Sequence, residues 1–273
     1  MLTIILSLLF GLLLATGLHQ GNVLGTLGSV LFGILCAVLV YGLAAWRLRR
    51  LLTRHMSVIQ NIMLSGQKQL QTKVQQLQSK PSGNPKQMMQ ELEKYQKELI
   101  RRAMVATSAL EPFRLWIPLM SRQIATLRMQ FHYQLQEFDK VDALLPKCLM
   151  LEPISMAMRL AQRYRAKAEL PEIRKLFDRS VARLKYNQGA LLYSLMAWIL
   201  LQHKQEDEAH SLLVEACKNT EHETIKRNRD RLANNRAREF SNAGLGDEWY
   251  ALYLEQPKMQ TRRQMPRADG RPF

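Results

Sequence analysis

Hydrophobic residues form two long runs at the start of the chain. They cover residues 2–18 and 23–46, and neither contains Lys, Arg, Asp or Glu. Because a helix rises about 1.5 Å per residue, each run crosses or nearly crosses a hydrocarbon core about 30 Å thick. The pattern predicts a transmembrane helical hairpin over residues 1–46, with a polar turn at 19–22. A signal peptide is the alternative for the first run, but no basic residue precedes it.

Small residues recur at every fourth position in both runs, which places each set on one helical face. The first set is Ser7, Gly11 and Ala15, and the second is Gly21, Gly25, Ser29, Gly33 and Ala37. Small residues let helix backbones approach closely in lipid. We expect the two faces to pack together as an antiparallel hairpin. The alternative is that the longer face joins a second copy in a homo-oligomer.

A polar, Gln-rich segment follows, with apolar residues at helical spacing. It predicts an amphipathic stalk helix or a short coiled coil, although Gly66 stands where the heptad requires an apolar residue. Two prolines and a glycine within residues 80–85 indicate a linker. The basic stalk and linker are therefore assigned to residues 47–86. Another helix is predicted over 87–110, and Glu111-Pro112 interrupts it.

From residue 113 onward the chain reads as helix after helix, and three segments align on a helix–turn–helix template. They cover residues 131–153, 160–180 and 193–216. If Val141, Ile173 and Ala209 are equivalent, the repeats are 32 and 36 residues apart, close to a 34-residue period. The fold class is then all-α, with a helical solenoid over residues 87–256. The alternative is an irregular helical bundle.

These segments resemble tetratricopeptide repeats, in which small residues bring paired helices together. The resemblance implies that helix A of each repeat lines a concave groove for a partner peptide. The residues it assigns to that groove are Gln130, Tyr133, Gln134, Gln162, Arg165, Ser194, Trp198 and Gln202. Amide and aromatic side chains suit an extended peptide. For Tyr133 and Trp198, core packing is an equally good interpretation.

The layout also resembles the membrane protein family associated with haem biosynthesis, which places two N-terminal membrane helices before cytoplasmic repeats. The shared features are His19-Gln20-Gly21 and the arginines after Trp46. In this chain the outer loop is shorter and a stalk intervenes. The resemblance therefore implies a similar layout and no particular function.

The end of the chain is basic. Residues 224–240 predict one helix, either a polar cap of the solenoid or a surface for anionic lipid or an acidic partner. The aromatic residues at 249–254 are expected to fold back onto the end of the domain. Residues 257–273 are basic and contain proline, which predicts a disordered tail.

Charge sets the predicted orientation. The formal net charge is +16, and Arg47, Arg49, Arg50 and Arg54 follow the second apolar run. The positive-inside rule places that end, and with it both termini, in the cytoplasm of an inner or plasma membrane. These arginines, with Arg227 and Arg231, are the candidate surface for anionic lipid. Nucleic acid is the less favoured anionic partner.

Catalytic and metal-binding patterns are absent from the sequence. His203, His210, Cys217 and His222 are near each other but lack zinc-site spacing, and no catalytic triad motif or phosphate loop is present. The three cysteines form no disulfide framework, which fits a reducing compartment. No cofactor is expected, and the protein is predicted not to be an enzyme.

The sequence therefore favours a non-enzymatic, membrane-anchored scaffold that binds a protein partner through its helical domain. The second interpretation is a basic membrane-surface protein that binds anionic lipid or nucleic acid. The third is an accessory subunit of a membrane enzyme.

Overall fold

The computed structural model describes residues 2–21, 25–79 and 85–256. These residues form helices and turns with no β-strand among them, which confirms the all-α class. Contacts divide the chain into two compact units, Met1–Met150 and Leu151–Phe273. The predicted tail at 257–273 and most of the predicted linker at 80–85 lie outside the described residues.

The first unit is built on two long helices. Its elements are α1 (Leu2–Gln20), α2 (Thr26–Ser79), α3 (Pro85–Ala106), the 3-10 helix Thr107–Arg114, α4 (Met120–Gln134) and α5 (Phe138–Leu144). The helix predicted over 87–110 thus changes to 3-10 geometry after Ala106, and Pro112 lies inside that 3-10 helix. By length and composition, α1 and the first part of α2 could each cross a membrane.

Close backbone contact between two glycines holds α1 against α2. A Cβ atom added to Gly11 would lie 2.6 Å from the carbonyl oxygen of Gly33, and one added to Gly33 would lie 2.6 Å from that of Gly11. Ala15 and Ala37 flank the contact on either side. Such an approach is open only to residues without side chains, which explains why small residues occupy this face.

The polar half of α2 continues the same helix and enters the core of the first unit. Ile59 is buried with Ile100 and Ala103 of α3, and with Leu110 and Phe113 of the 3-10 helix. Leu48, Leu52, Met56 and Met63, from the apolar positions of α2, pack against this core. The segment assigned to a separate stalk therefore shares one core with the helices that follow it. Within the described residues, its apolar face is covered by the same chain.

Gly66 has a packing role that the heptad pattern did not reveal. A Cβ atom at this position would collide with the side chain of Leu99 on α3. The missing side chain lets α3 lie close against α2. The position that interrupts the predicted coiled coil is thus a contact between two helices of one chain.

The second unit surrounds one almost fully buried helix. Its elements are α6 (Pro153–Arg165), α7 (Leu170–Val181), α8 (Ala190–Gln202), α9 (Glu206–Asn219), α10 (Glu223–Ala233) and α11 (Asp247–Tyr250). Helix α8 packs against α6, α7 and α9. Fully buried alanines at the helix contacts include Ala157, Ala161, Ala197, Ala209 and Ala216. Their small side chains allow the close spacing of neighbouring helices.

Four helix ends share one turn geometry. After each of these helices one residue has a positive φ between 55° and 61°: Gln136, Lys167, Lys204 and Asn235. In each case the next residue donates its amide to the carbonyl five positions earlier, as from Gln205 to Leu200 at 2.9 Å. This is the hydrogen bond of the Schellman motif, which usually requires glycine at the left-handed position. The recurrence places equivalent turns after α4, α6, α8 and α10.

The last of these turns corrects the predicted helix over 224–240. Helix α10 ends at Ala233, because Asn235 adopts φ 55° and Arg236 donates back to the carbonyl of Arg231. Buried Asn228 then fixes the following segment. Its side-chain amide donates to Asn242 Oδ1 at 3.0 Å, and the Asn242 amide donates to the carbonyl of Ser194 on α8 at 3.1 Å. Satisfied buried amides of this kind specify one arrangement of the chain.

We predict that Lys204→Gly stabilises the protein. Lys204 is exposed and has φ 61°, a conformation that costs a residue with a Cβ atom more than it costs glycine. The free energy of unfolding should rise by about 0.5–1 kcal/mol, as measured by denaturant titration followed by circular dichroism. The control is Lys175→Gly, inside α7, which should lower it by about 1 kcal/mol. A loss of stability in Lys204→Gly would contradict the assigned turn.

Candidate functional site

The residues predicted to line one groove belong to both units. Gln130, Tyr133 and Gln134 lie on α4 in the first unit. Gln162 and Arg165 lie on α6, and Ser194, Trp198 and Gln202 on α8, in the second. The structure therefore divides the predicted set between the two units.

The α4 residues are largely enclosed. Tyr133 is completely buried, and its ring packs edge-on against Phe138 with the centroids 5.5 Å apart. Gln130 and Gln134 are half-buried and take part in interactions of their own. For Tyr133 the core-packing interpretation describes its position, since no part of the ring is accessible to a peptide.

The residues on α6 and α8 surround a segment of the same chain. We call the surface formed by Gln162, Arg165 and Trp198 the α6–α8 face. Gln162 is only 3% exposed, whereas Gln202 at the end of α8 is exposed. Residues 249–255 lie on this face. Trp249 and Leu252 are completely buried there, and the Trp249 ring packs edge-on against Trp198 at 5.9 Å.

Arg165 holds the backbone of this C-terminal segment. Its Nη2 donates to the carbonyl oxygen of Leu252 at 2.8 Å and to that of Tyr253 at 2.7 Å. Hydrogen bonds from a charged donor are stronger than those between neutral groups. Two successive carbonyl groups are thus fixed by one guanidinium group, independently of the side chains they carry.

Two indole groups hold the carboxylate of Glu255. Trp198 Nε1 donates to Oε1 at 2.7 Å, and Trp249 Nε1 donates to Oε2 at 2.9 Å. Tyr164 supports the Trp198 ring from α6, with the ring centroids 5.3 Å apart. The carboxylate accepts one hydrogen bond on each oxygen without a cation among these contacts. Trp198 therefore packs against neighbouring aromatic rings and also donates a hydrogen bond to Glu255. The core-packing and groove interpretations from the sequence each described only one of these roles.

Together these contacts fasten an extended segment with an acidic side chain to the α6–α8 face. Arg165 donates to the main chain of the segment and Trp198 donates to its acidic side chain, while the segment's own Trp249 and Leu252 are buried beside them. The sequence predicted that residues 249–254 fold back, but it did not connect them with Arg165 or Trp198. The sequence signal for these contacts was the group of aromatic residues after α10, which the repeat pattern did not include.

The predicted anionic surface also falls into two parts. Arg47, Arg49, Arg50 and Arg54 are exposed on α2, and the Arg50 guanidinium lies 5.6 Å from the centre of the Trp46 ring. Arg227 is exposed on α10. Arg231 is half-buried and donates to Asn228 Oδ1 at 3.2 Å, so it helps to hold the α10 turn.

The other arginines at the end of α10 are engaged with acidic neighbours. Arg229 pairs with Asp230 and Arg236 with Glu239, each at 2.7 Å. The positive charge of this helix is therefore partly neutralised at its surface. The arginines of α2 form the more concentrated basic group.

Potential metal ligands do not cluster. Among the residues that the structure describes, no group of three or more His, Cys, Asp or Glu side chains could hold a metal ion. His203, at the end of α8, packs its ring edge-on against Tyr164 at 6.4 Å. That contact gives the histidine a packing role.

Comparisons with known proteins returned no relatives. No protein-family model, no curated protein and no solved structure matches this chain.

We predict that Arg165→Met loosens the C-terminal segment. The change removes both hydrogen bonds to the segment's carbonyls, and the free energy of unfolding should fall by about 1.5–3 kcal/mol. The matched control is Arg174→Met, which breaks only an exposed pair with Glu208 and should cost less than about 1 kcal/mol. Limited proteolysis followed by mass spectrometry would show new cleavage near residues 250–256 in Arg165→Met. Equal stability and cleavage in both variants would contradict the assigned contacts.

Proposed function

We propose that this protein is a non-enzymatic, membrane-anchored scaffold whose helical domain binds an extended, acidic segment of a partner protein. The observation that carries the proposal is the way the α6–α8 face holds residues 249–255: two backbone carbonyls accept from Arg165, and one carboxylate oxygen of Glu255 accepts from Trp198. These contacts would suit a partner segment of the same chemistry. The chain's own segment would then compete with the partner.

The membrane anchor is supported by the surface of α1 and the first part of α2. Leucine, isoleucine, valine and phenylalanine side chains are exposed along both helices, including Leu8, Leu13, Leu31 and Val38, which are 61–69% exposed. Exposing this apolar surface to water would cost free energy, whereas in a bilayer it would contact the apolar acyl chains. The 19 residues of α1 span about 28 Å, close to the thickness of the hydrocarbon core.

The arginines after Trp46 support an orientation with the helical domain in the cytoplasm. Four exposed arginines follow the apolar part of α2 within eight residues of Trp46, and Trp46 itself is exposed. In the proposed arrangement Trp46 lies at the membrane–water interface. The helical units then extend from the cytoplasmic side.

The continuity of α2 supports a scaffold held at a fixed place relative to the bilayer. The helix runs without a break from the apolar segment into the core around Ile59. A chain joined by a flexible linker would leave the domain free to reorient. Here the same helix would belong to both the anchor and the first unit, so the unit would remain close to the surface.

The repeated helix ends support the tetratricopeptide-like interpretation of the domain. Equivalent left-handed turns follow α4, α6, α8 and α10, and the residues aligned by sequence, Val141, Ile173 and Ala209, are all completely buried. In arrays of helix pairs the inner helices commonly carry the binding surface. The α6–α8 face is formed by two such helices.

Affinity purification of the full-length protein in mild detergent tests the partner site. The variant Glu255→Gln keeps one acceptor oxygen for two indole donors, so it should weaken the internal segment and raise partner capture several-fold. Combining it with Trp198→Phe removes a donor that the partner would use, and capture should fall again. Glu248→Gln, an exposed change on α11, is the control. If mass spectrometry finds the same proteins in equal amounts with the wild type and all three variants, the α6–α8 site is refuted.

We predict that the glycine contact holds the proposed hairpin together. Gly33→Leu should force α1 and α2 apart and lower the melting temperature in lipid nanodiscs, because a Cβ atom there collides with Gly11 and Ala15. Gly42→Leu on the same helix meets nothing within 4 Å and serves as the control. If instead Gly33→Leu leaves melting unchanged but alters the mass of the particle, the small-residue face joins two copies.

Binding of anionic lipid is a second candidate function, favoured by the exposed arginines of α2. Replacing Arg47, Arg49, Arg50 and Arg54 with Gln should reduce retention of anionic lipids in native mass spectrometry, since each well-placed arginine contributes about 1 kcal/mol. Zwitterionic lipids should be retained equally by both forms. Unchanged anionic lipid retention would eliminate this role for the α2 arginines.

A further inference from the structure

The loop between the 3-10 helix and α4 exposes apolar side chains in an unusual place. It consists of residues 115–119, and Phe113 and Met120 on either side of it are buried in the core of the first unit. Between them Leu115 is 65% exposed, Trp116 38% and Leu119 53%. Burial of three large apolar side chains is the usual outcome in water, so their shared exposure on one short loop requires an explanation.

The loop is fastened to the beginning of α1. The backbone amide of Leu2 donates to the carbonyl of Leu115 at 3.1 Å, and Thr3 Oγ1 donates to the carbonyl of Trp116 at 3.0 Å. Thr3 is only 7% exposed. These bonds fix the height of the loop along α1.

The packing of α1 on α2 shows where the loop lies along α2 relative to Trp46. The helices run in opposite directions and cross where Gly11 meets Gly33 and Ala37. Because both helices rise by the same amount per residue, the level of Leu2 is close to that of residues 42–46 on α2. The loop therefore reaches the same level as Trp46, whose ring is 62% exposed.

Basic side chains flank the loop. Arg114 precedes it and Arg122 follows it, and both are exposed. Arg114 forms a salt bridge with Glu111 at 3.0 Å, which holds it next to the loop. Tryptophan and leucine between arginines is the composition of segments that lie in the headgroup region of a bilayer.

The backbone of Leu119 adds a separate observation. This leucine has φ 62°, in the left-handed region that glycine or asparagine adopts more cheaply. Its side chain makes up little of the core, since more than half of it is exposed. A conformational cost combined with an exposed apolar side chain indicates that the side chain is used outside the core.

We propose that residues 115–119 form an interfacial membrane anchor that inserts Leu115, Trp116 and Leu119 into the cytoplasmic leaflet, which α2 leaves at Trp46. The occupant is the lipid bilayer itself, because the loop is continuous with the apolar surface of α1 and level with Trp46. This inference rests on the proposed membrane anchor and extends it. The anchor then has three attachments, α1, α2 and the loop, which hold the first unit against the bilayer surface.

Nitroxide spin labels on the full-length protein in nanodiscs test the position of the loop. The native cysteines are first replaced as Cys36→Ala, Cys148→Ser and Cys217→Ser, and circular dichroism checks that this form keeps its helicity. Single cysteines are then introduced at Leu119 in the loop, at Leu39 on the apolar part of α2, and at Lys68. Lys68 is exposed about 33 Å beyond Trp46 along α2 and is the aqueous control.

Collision rates with oxygen, which concentrates in lipid, and with a water-soluble nickel chelate report the location of each label. We expect oxygen to dominate at positions 39 and 119 and the nickel chelate at position 68. A label at 39 in lipid with one at 119 in water would overturn the interfacial loop and leave the anchor intact. A label at 39 in water would overturn the anchor and the loop together.

A second measurement uses no cysteine replacement. Lipids brominated near the headgroup end of the acyl chain quench tryptophan fluorescence at short range. The wild type should lose more fluorescence than Trp116→Phe, because the variant lacks the inserted indole while Trp46 remains in both. Equal quenched intensity in the two forms would place Trp116 outside the bilayer and overturn the proposal.

Discussion

The first unit depends on one helix that serves two environments. Over its first part α2 presents apolar side chains around most of its circumference, and over its second part it presents one apolar stripe. The stripe packs on α3 and the 3-10 helix through Ile59 and its neighbours. Because the helix is unbroken, the position of this core is fixed relative to the contact between Gly11 and Gly33. Any movement of this core would therefore be transmitted to the contact between Gly11 and Gly33.

In the second unit, backbone turns without glycine set the geometry of the helix pairs. Lysine or asparagine takes the left-handed position after α6, α8 and α10, as glutamine does after α4 in the first unit. Each such residue carries a conformational cost that the following hydrogen bonds and helix packing offset. The buried alanines allow the helices to approach closely enough for that packing. Turns and small residues together therefore maintain the helix packing of this unit.

The C-terminal segment changes how the predicted groove is understood. Arg165 and Trp198 occupy the helices that the repeat pattern indicated, and they contact the chain's own residues 252–255. These two side chains thus hold a segment of the same chain. Under the proposed function, partner binding becomes a competition, and the affinity of a partner is reduced by the stability of the internal contacts. Glu255 is the exposed end of that segment and the natural place for the competition to begin.

The sequence alone determined the helical class and the two long apolar helices, because both follow from local periodicity and composition. It also indicated the apolar positions of α2 and the buried residues Val141, Ile173 and Ala209. Tertiary structure decided what those faces meet. Gly66 interrupts a heptad but receives Leu99, a contact that no pattern within one helix can reveal. Likewise, the carboxylate of Glu255 lies between Trp198, 57 residues away, and Trp249, six residues away. Long-range pairs of this kind depend on how helices are arranged in space, and spacing along the chain does not encode that arrangement directly.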